Sequence, residues 1–334
     1  MKEAIIKEIE KQTSTEWDAF VKDSPQGNLF VTFGWKNLID SGTPFTQRIY
    51  GVFKKEKICG GVVLTEKRQL GKKVALNALL CPYLGFVLAP PISSKFSDRS
   101  SKQQKTLSAL IQYLRERYSQ IDLINAPELN DIRPFTQSRW KTAPRYTFYL
   151  DVSDSDQLWK SLDGSVRRSI KKAEESGLNT GLMECSPDEI FALLDKTLGK
   201  KGKKNPIPYS LVREIVTSEI IKNQRAIIGA RTNQGELISA IVCVWDWQRA
   251  YYLIAATHPE RLSTGVSSLL IWKLAGFLSK LPSEELDFIG GNIPSIARFK
   301  ETFNPRLITH FRTEHWPSIM FKIIKKSGQF LLGR

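Results

Sequence analysis

The same series of predicted elements occurs twice along the 334-residue chain. In the first half, an alternating apolar strand over residues 48–54 is followed by a polar turn and a return strand over 58–64. In the second half, predicted strands over 224–231 and 238–244 flank a Thr-Asn-Gln-Gly-Glu turn. Alternating apolar residues on both sides of a polar turn predict a β-hairpin. A chain that repeats such a unit is expected to fold as two similar domains.

After each hairpin the chain predicts a further strand, a helix and a closing strand. The two helices carry apolar residues at helical spacing, which are Leu107, Leu110, Ile111 and Leu114 in the first and Val266, Leu269, Leu270 and Leu274 in the second. The closing strands are predicted over 121–125 and 285–289. A further strand over 146–151 leads into the second copy, so we expect an α/β protein with domains at residues 1–148 and 149–334.

The formal net charge of +15 is the unusual feature of the composition. A basic excess of this size predicts attraction to a polyanion, such as tRNA, an anionic lipid or a phosphorylated sugar carrier. The alternative is a soluble protein that is simply basic. Hydrophobic residues make up 41% of the chain, which is enough for a core of ordinary size.

The cysteines and histidines argue against disulfides and metal. The four cysteines (Cys59, Cys81, Cys185 and Cys243) are widely spaced and form no Cys-x-x-Cys pair, which favours free thiols in a reducing cytoplasm. Three histidines make a poor source of metal ligands, so no metal site is expected. The first residues lack the apolar core of a signal peptide, and no run of 18 apolar residues predicts a membrane span.

A strongly basic helix is predicted near the start of the second copy. Ser165 is suited to cap it and Gly177 to end it. Four cations share one face of this helix, namely Arg167, Arg168, Lys171 and Lys172. Like charges on one face repel one another, which indicates an anionic partner. The alternative is a solvated face balanced by Glu174 and Glu175.

A second cationic segment follows, a lysine-rich loop over residues 196–204. The helix before this loop is well marked, because Ser186 can cap it and Pro187 suits its first position. The loop either binds an anion or is a solvated lysine loop.

The segment 286–303 is the strongest candidate for a site. A short apolar run ends in Asp287, and Gly290, Gly291 and Asn292 form the loop that follows. Glycine lets a ligand approach the backbone, and strand ends that open into such loops often bind ligands. An Arg-Phe-Lys sequence comes next, which contains Phe299 and Lys300.

Two adjacent tyrosines, Tyr251 and Tyr252, lie on the predicted strand before the second helix. Alternation points them to opposite faces of the sheet, so one can pack in the core while the other reaches a cleft. Both could equally be ordinary strand residues.

The order of a Tyr-Tyr strand, a helix, Asp-Phe-x-Gly-Gly and Phe-Lys resembles the C-terminal half of the Fem-type aminoacyltransferases and their GNAT-fold relatives. Two segments of the first half, Phe-Gly-Trp-Lys at 33–36 and Pro-Tyr-Leu-Gly-Phe at 82–86, are similar to that family as well. The resemblance implies tandem duplicated GNAT-like domains, in which mixed sheets are flanked by helices. No heptad pattern of about 50 residues appears, so the members without a helical arm are the better comparison.

The resemblance also implies site residues. It places Phe299 and Lys300 in the catalytic cleft, where the lysine would stabilise the oxyanion or a donor phosphate, beside Tyr251 or Tyr252. Residues implied to bind substrate are Lys36, Tyr83, Gly85, Arg167, Arg168, Lys171, Lys172, Lys200, Lys201, Gly290, Gly291 and Asn292. Of these, Lys200 or Lys201 matches a basic residue that contacts the acceptor's diphosphate. The alternative for Lys300 is a surface lysine beside a buried phenylalanine.

The acyl donor is less well marked. The sequence from Arg261 to Ser267 is one residue longer than the pyrophosphate loop of an acetyl-CoA enzyme. The resemblance therefore favours aminoacyl-tRNA as the donor, while acyl-CoA stays open, and no tightly bound cofactor is expected.

The leading function is transfer of an activated aminoacyl group onto an amine of a cell-envelope precursor, a nucleotide-sugar or lipid-linked anion. The alternatives are acyl-CoA-dependent N-acylation of a sugar or polysaccharide precursor, and a non-catalytic basic module that binds RNA or the envelope. We expect a cytoplasmic protein that could lie against the inner membrane face. The apolar, basic segment over 316–332 either contacts such a surface or docks on its own domain.

Overall fold

A computed structural model describes residues 4–69, 71–199, 202, 204–281 and 283–316. The chain divides into two compact units. The first unit takes the described residues of Met1–Asp40, Phe45–Arg145 and His310–Arg334. The second unit takes those of Ser41–Pro44 and Tyr146–Thr309. The apolar segment after Trp316, and with it the question of membrane contact or docking, lies outside the described residues.

The first half of the chain contains these elements: β1 (Ile5–Glu8), α1 (Ser14–Asp23), α2 (Phe33–Gly42), β2 (Thr46–Lys54), β3 (Lys57–Gln69), β4 (Lys72–Leu76), β5 (Gly85–Leu88), α3 (Phe96–Arg117), β6 (Gln120–Ile124), α4 (Arg133–Gln137) and β7 (Lys141–Asp151). Short 3-10 helices occur at Lys11–Thr13 and Leu29–Val31.

The second half contains α5 (Ser155–Ser161), α6 (Gly164–Glu174), β8 (Asn179–Leu182), α7 (Pro187–Gly199), α8 (Tyr209–Thr217), β9 (Arg225–Arg231), β10 (Leu237–Trp245), β11 (Ala250–Thr257), α9 (Val266–Leu278), β12 (Glu285–Asp287), α10 (Pro294–Glu301) and β13 (Arg306–His315). Its 3-10 helices are Glu219–Gln224 and Pro259–Thr264. Both predicted hairpins are present, as β2–β3 and β9–β10.

In the first unit the strands follow the order β1-β2-β3-β4-β6-β13, with β5 paired to β3. Strands β1 to β4 are antiparallel, β4 and β6 are parallel, and the His310–His315 part of β13 pairs antiparallel with β6. The predicted apolar face of α3 is buried. Each such side chain contributes about 1.5–3 kcal/mol to folding.

In the second unit the order is β8-β9-β10-β11-β12-β7. Strands β8 to β11 are antiparallel, β11 and β12 are parallel, and the Tyr146–Asp151 part of β7 pairs antiparallel with β12. The predicted apolar face of α9 is buried as well, within the core of this unit. The two units therefore have the same strand order and the same strand directions.

The last strand in each order comes from the other half of the sequence. Strand β7 follows the first helix–strand pair but joins β12, and the end of β13 follows the second pair but joins β6. Residues 310–315 consequently belong to the first unit. That the two units are copies of one domain, divided between residues 148 and 149, stays a prediction.

Three local expectations need correction. Helix α6 begins after Asp163 rather than at a Ser165 cap. Lys196 belongs to the last turn of α7 and not to the loop after it, because that helix continues to Gly199. The Arg-Phe-Lys sequence lies within helix α10 rather than after a bare loop, because Pro294 suits the first turn of a helix. The Ser186 cap is confirmed, since Ser186 and Glu189 bond each other's backbone N–H groups.

None of the helices in the described part of the chain is long and apolar enough to cross a membrane.

Candidate functional site

The parallel pair β11–β12 separates early. The two strands pair only at Ala250 with Leu286 and at Tyr251 with Asp287. Strand β11 continues to Thr257, whereas the other chain turns away after Asp287. Within the described residues no strand pairs with this edge of β11 beyond Tyr251. An edge of this kind presents backbone N–H and C=O groups that can bind an extended ligand.

The chain that leaves β12 forms a strained loop over residues 288–292. Ile289 has a φ of 50° and Gly290 a φ of 84°, both in the left-handed region. A β-branched residue there costs of the order of 1–3 kcal/mol, so the surrounding contacts must hold it. Phe288 and Gly291 donate from their backbone N–H groups to the carbonyls of Phe148 and Tyr146 at 2.9 and 2.7 Å.

The side of the loop next to β7 is closely packed. A Cβ at Gly291 would lie 2.8 Å from the ring of Phe148, so only glycine fits without a shift. The side chain of Asn292 accepts from the N–H of Tyr146 at 3.1 Å and donates to its carbonyl at 3.1 Å. The predicted Gly290, Gly291 and Asn292 thus form one rigid loop against β7.

Lys300 holds the loop from the other side. Its ammonium donates to the carbonyls of Phe288, Ile289 and Gly290 at 2.7, 2.8 and 2.8 Å. The residue is only 6% exposed. Burial lowers the pKa of the Lys300 ammonium to about 8, and the nearby carboxylate of Asp287 opposes that change. The alternative of a surface lysine is wrong, because α10 turns the Lys300 side chain inward.

A buried carboxylate anchors the end of β12. Asp287 is fully buried and accepts from the hydroxyl of Thr147 at 2.5 Å and from the N–H of Ile289 at 2.8 Å. These bonds fix the point at which the chain leaves the strand. Sequence reasoning did not find Thr147, since it lies 140 residues away on β7.

The two tyrosines separate as alternation predicts. Tyr251 is buried and its hydroxyl donates to Asp246 at 2.8 Å. Tyr252 is half-buried, and its ring packs edge-on against Phe288 at 5.7 Å. Burial raises the pKa of both hydroxyls. Within the described residues the Tyr252 hydroxyl makes no hydrogen bond, so of the two tyrosines Tyr252 is the one that can contact a ligand.

Two further residues complete this part of the second unit. Phe299 is half-buried, packs edge-on against Phe303 at 5.5 Å and lies against the core of the second unit. Arg249 is buried, stacks on the ring of Tyr149 at 4.4 Å and donates to the Tyr149 hydroxyl. The partner Tyr149 was not predicted from the sequence, because it lies on β7, 100 residues before Arg249.

The basic helix α6 contributes three exposed cations, Arg168, Lys171 and Lys172. Arg167 differs, since its guanidinium donates to the carbonyls of Trp159 and Lys160 at 3.2 and 3.0 Å, in the last turn of α5. Helix α6 also approaches the start of α9. A Cβ at Gly265 would lie 2.2 Å from the backbone oxygen of Ser169, so only glycine is accommodated there.

The other predicted residues lie elsewhere. In the first unit, the ammonium of Lys36 pairs with Asp40 at 2.7 Å, and Tyr83 is buried with its ring edge-on to His310 at 5.2 Å. Gly85 has a φ of 90° on β5. Lys200 and Lys201 lie outside the described residues. The structure therefore brings together Tyr252, the 288–292 loop and Lys300, and the roles of all the predicted residues stay predictions.

Comparison with known families identifies the second half of the chain. Residues 160–301 match the model of the acetyltransferase (GNAT) domain. This range contains α6, strands β8 to β12 and helix α10. It therefore includes the parallel strands β11 and β12 and the 288–292 loop that follows β12. The fold of this part of the chain is therefore the GNAT fold, and the protein is an acyltransferase. No curated protein sequence matches the chain.

Solved structures extend the similarity to most of the chain. A FemX structure is similar at 14% identity with a TM-score of 0.65, over 92% of this chain and 96% of that one. The C-terminal domain of a putative lysylphosphatidylglycerol synthetase from Agrobacterium fabrum is similar at 12% identity with a TM-score of 0.58, over 91% of this chain and 90% of that one. A tandem GNAT protein from the clavulanic acid biosynthesis pathway is similar at 14% identity with a TM-score of 0.57, over 95% of this chain and 100% of that one. These likenesses support the predicted Fem-like GNAT fold.

GNAT acyltransferases take acyl-CoA as a co-substrate and hold no tightly bound cofactor. In the part of the chain that the structure describes, no group of three or more His, Cys, Asp or Glu side chains could hold a metal ion.

Proposed function

We propose that the protein transfers an aminoacyl group from an activated ester to the amine of a cell-envelope precursor. The observation that carries this proposal is the unpaired edge of β11, with Tyr252 and the 288–292 loop beside it. The similarity of the fold to FemX and to lysylphosphatidylglycerol synthetases supports aminoacyl transfer over other acyl transfers. The exposed cations of α6 suit a polyanionic donor such as aminoacyl-tRNA.

In the proposed reaction the acceptor amine attacks the ester carbonyl of the donor. The C–N bond forms, the C–O bond of the ester breaks, and the amine releases its proton to solvent. The edge of β11 would hold the aminoacyl chain extended by backbone hydrogen bonds, which brings the carbonyl to Tyr252. No covalent intermediate with the enzyme is needed.

Tyr252 is proposed to protonate the leaving oxygen, and its phenolate then takes a proton back from solvent. Its raised pKa keeps the phenol protonated at neutral pH, so it acts as a donor and not as a base. The hydroxyl has no hydrogen-bond partner among the described residues, so it can turn toward a ligand.

Lys300 is proposed as a positioning residue. Its three N–H groups already bond the carbonyls of the 288–292 loop, so they do not point at the substrate. The ammonium fixes the loop and with it the width of the opening between β11 and β12. This role replaces the expectation that the lysine contacts the oxyanion directly.

Acyl-CoA is the second candidate donor, and the match to the acetyltransferase family favours it. In a GNAT enzyme of that kind the pyrophosphate binds at the start of the helix that corresponds to α9, the helix after strand β11. Here α6 contacts the start of α9, at Ser169 and Gly265. The exposed cations of α6 therefore lie on a helix that is next to this helix start, which suits the larger polyanion of an aminoacyl-tRNA.

The test is a direct comparison of donors. The purified protein is incubated with an amine-bearing envelope precursor and either labelled aminoacyl-tRNA or labelled acetyl-CoA, and the label on the precursor is counted. The proposal expects label from aminoacyl-tRNA that hydroxylamine treatment of the product does not release, because an amide has formed. Label from acetyl-CoA alone would show the second candidate function instead.

A further inference from the structure

A cavity of about 610 Å³ lies in the first unit, remote in sequence from the GNAT match. It is bounded by the end of β5, the β2–β3 hairpin and the first turns of α3. One wall is apolar and consists of Leu88, Ala89, Pro90, Pro91 and Ile92. A volume of this size accommodates part of an aliphatic chain. Nothing in the proposed acyl transfer uses this cavity.

Cations surround the cavity. Four of its lining residues are basic, namely Lys54, Arg99, Lys102 and Lys105. Among the described residues none of the four has a carboxylate oxygen within 4.0 Å. Asp98 also lines the cavity, and it accepts a hydrogen bond from the hydroxyl of Ser93 at 3.2 Å. Four unpaired cations around one cavity repel each other, so an anion bound among them is stabilised.

Large apolar side chains stand in solvent next to these cations. Ile92 is 93% exposed and Phe96 is 67% exposed. Between them lies Lys95, which is exposed as well. Burying either apolar side chain would contribute about 1.5–3 kcal/mol, which is lost while both face water. Exposed apolar residues beside lysines are the pattern of a segment that enters the interface of a bilayer.

We propose that this cavity binds an anionic phospholipid of a membrane surface. The headgroup phosphate would lie among Lys54, Arg99, Lys102 and Lys105, and an acyl chain would follow the wall from Leu88 to Ile92. Ile92 and Phe96 would enter the interface beside the bound lipid. None of its lining residues belongs to the proposed acyl-transfer site, so this proposal can be tested independently of the proposed function.

The first test measures binding of the full chain to vesicles by co-sedimentation. Vesicles of phosphatidylcholine are compared with vesicles that also contain phosphatidylglycerol. The double variant Lys102→Gln/Lys105→Gln is expected to bind the anionic vesicles roughly 30-fold more weakly, because each cation near an anionic surface contributes about fivefold. Ile92→Ser is expected to weaken binding as well, although it changes no charge.

The matched control is Arg68→Gln/Lys72→Gln. It removes the same charge from exposed residues of the same unit, and Arg68 lies nine residues along β3 from Cys59, about 30 Å away. The control should keep most of the wild-type binding. Equal losses in both double variants, or full binding by Ile92→Ser, would overturn the proposal in favour of a diffuse charge effect. Displacement by inorganic phosphate at constant ionic strength would also overturn it, since a simple anion site would then suffice.

A second test uses Cys59, which lines the cavity. It is half-buried, whereas the other three cysteines are buried. Alkylation of the native protein therefore reports on Cys59. Vesicles containing phosphatidylglycerol should slow this alkylation and phosphatidylcholine vesicles should not, and an unchanged rate with bound anionic vesicles would show that the lipid lies elsewhere.

Discussion

The two units differ where their parallel strands end. In the first unit, Asn77 follows β4 and bridges to β6: its N–H donates to the carbonyl of Asp122 at 3.0 Å, and its side chain accepts from the N–H of Ile124 at 3.1 Å. The N–H of Leu84 then donates to the carbonyl of Ile124 at 2.9 Å. In the second unit, Tyr252 occupies the position after the last pair, and no such bridge to the 288–292 loop exists among the described residues.

The same strand order thus gives a closed junction in one unit and an open one in the other. Beside the closed junction, His310 packs edge-on against Tyr83, and burial and the charge of Arg145 lower its pKa to about 4. The open junction contains a buried ammonium and a buried carboxylate. We infer that the second unit carries the chemistry, because an open strand edge near buried charges is where a substrate can be held and polarised.

The largest effect is expected from removing the ammonium of the open junction. Lys300→Met should lower the free energy of unfolding by about 3–5 kcal/mol, because three carbonyls lose their donor and Asp287 loses a nearby charge. Denaturant unfolding measures this change. Lys273→Met on the exposed side of α9 is the control and should change stability by less than about 0.5 kcal/mol. Similar values for the two variants would mean that Lys300 does not hold the loop.

The closed junction should matter for folding alone. Asn77→Ala removes the bonds to the N–H of Ile124 and to the carbonyl of Cys81, so we expect a loss of about 2 kcal/mol in unfolding free energy. Turnover of the folded variant should equal that of the wild type. A strong loss of turnover at full folding would move the chemistry toward the first unit and break the comparison.

The first unit contains a buried histidine that should make its stability sensitive to acid. The pKa of His310 is lowered to about 4 in the folded protein, so the unfolded chain binds the proton first as the pH falls below about 6.5. Stability from this residue is therefore present near neutral pH and is lost between about pH 6.5 and 4. Between pH 7 and 4.5 the free energy of unfolding of His310→Gln should fall by about 2 kcal/mol less than that of the wild type. Denaturant unfolding at both pH values measures this difference. Parallel curves would contradict a neutral His310.

The smallest effect is expected from the basic helix. Neutralising Arg168, Lys171 and Lys172 to glutamine should weaken tRNA binding roughly tenfold and reduce its salt dependence, with little change in stability. Arg167→Gln should lower stability and leave tRNA binding nearly unchanged, because the Arg167 guanidinium donates to two carbonyls of α5. Binding titrations at two salt concentrations distinguish the two variants. Equal effects of all four cations on tRNA binding would show a uniform solvated face instead.

Local sequence patterns predicted the elements well and the long-range partners poorly. Alternation gave the hairpins β2–β3 and β9–β10, and helical spacing gave the buried faces of α3 and α9. The exchange of β7 and β13 between units was not predictable, because pairing such as that of His315 with Ile121 joins residues almost 200 positions apart. Periodicity cannot say which strand will lie beside which.

The candidate site was half predictable for a similar reason. The Gly-Gly loop and the opposite faces of the two tyrosines follow from local chemistry. The burial of Lys300 does not, because a lysine between Phe299 and Glu301 looks like a surface residue. A signal was present in α10, where Ala297 and Lys300 share the buried face at a spacing of three residues.

The most direct test of the account is the turnover of Tyr252→Phe, measured with the donor and acceptor that the labelling experiment identifies. The substitution removes one hydroxyl that bonds no described residue, so the free energy of unfolding should stay within about 0.5 kcal/mol of the wild type. If acyl transfer takes place at the open junction of the second unit, turnover should fall by about 10²-fold or more, which is the effect expected from the loss of a proton donor. Unchanged turnover in a fully folded Tyr252→Phe protein would contradict the placement of the chemistry at this opening.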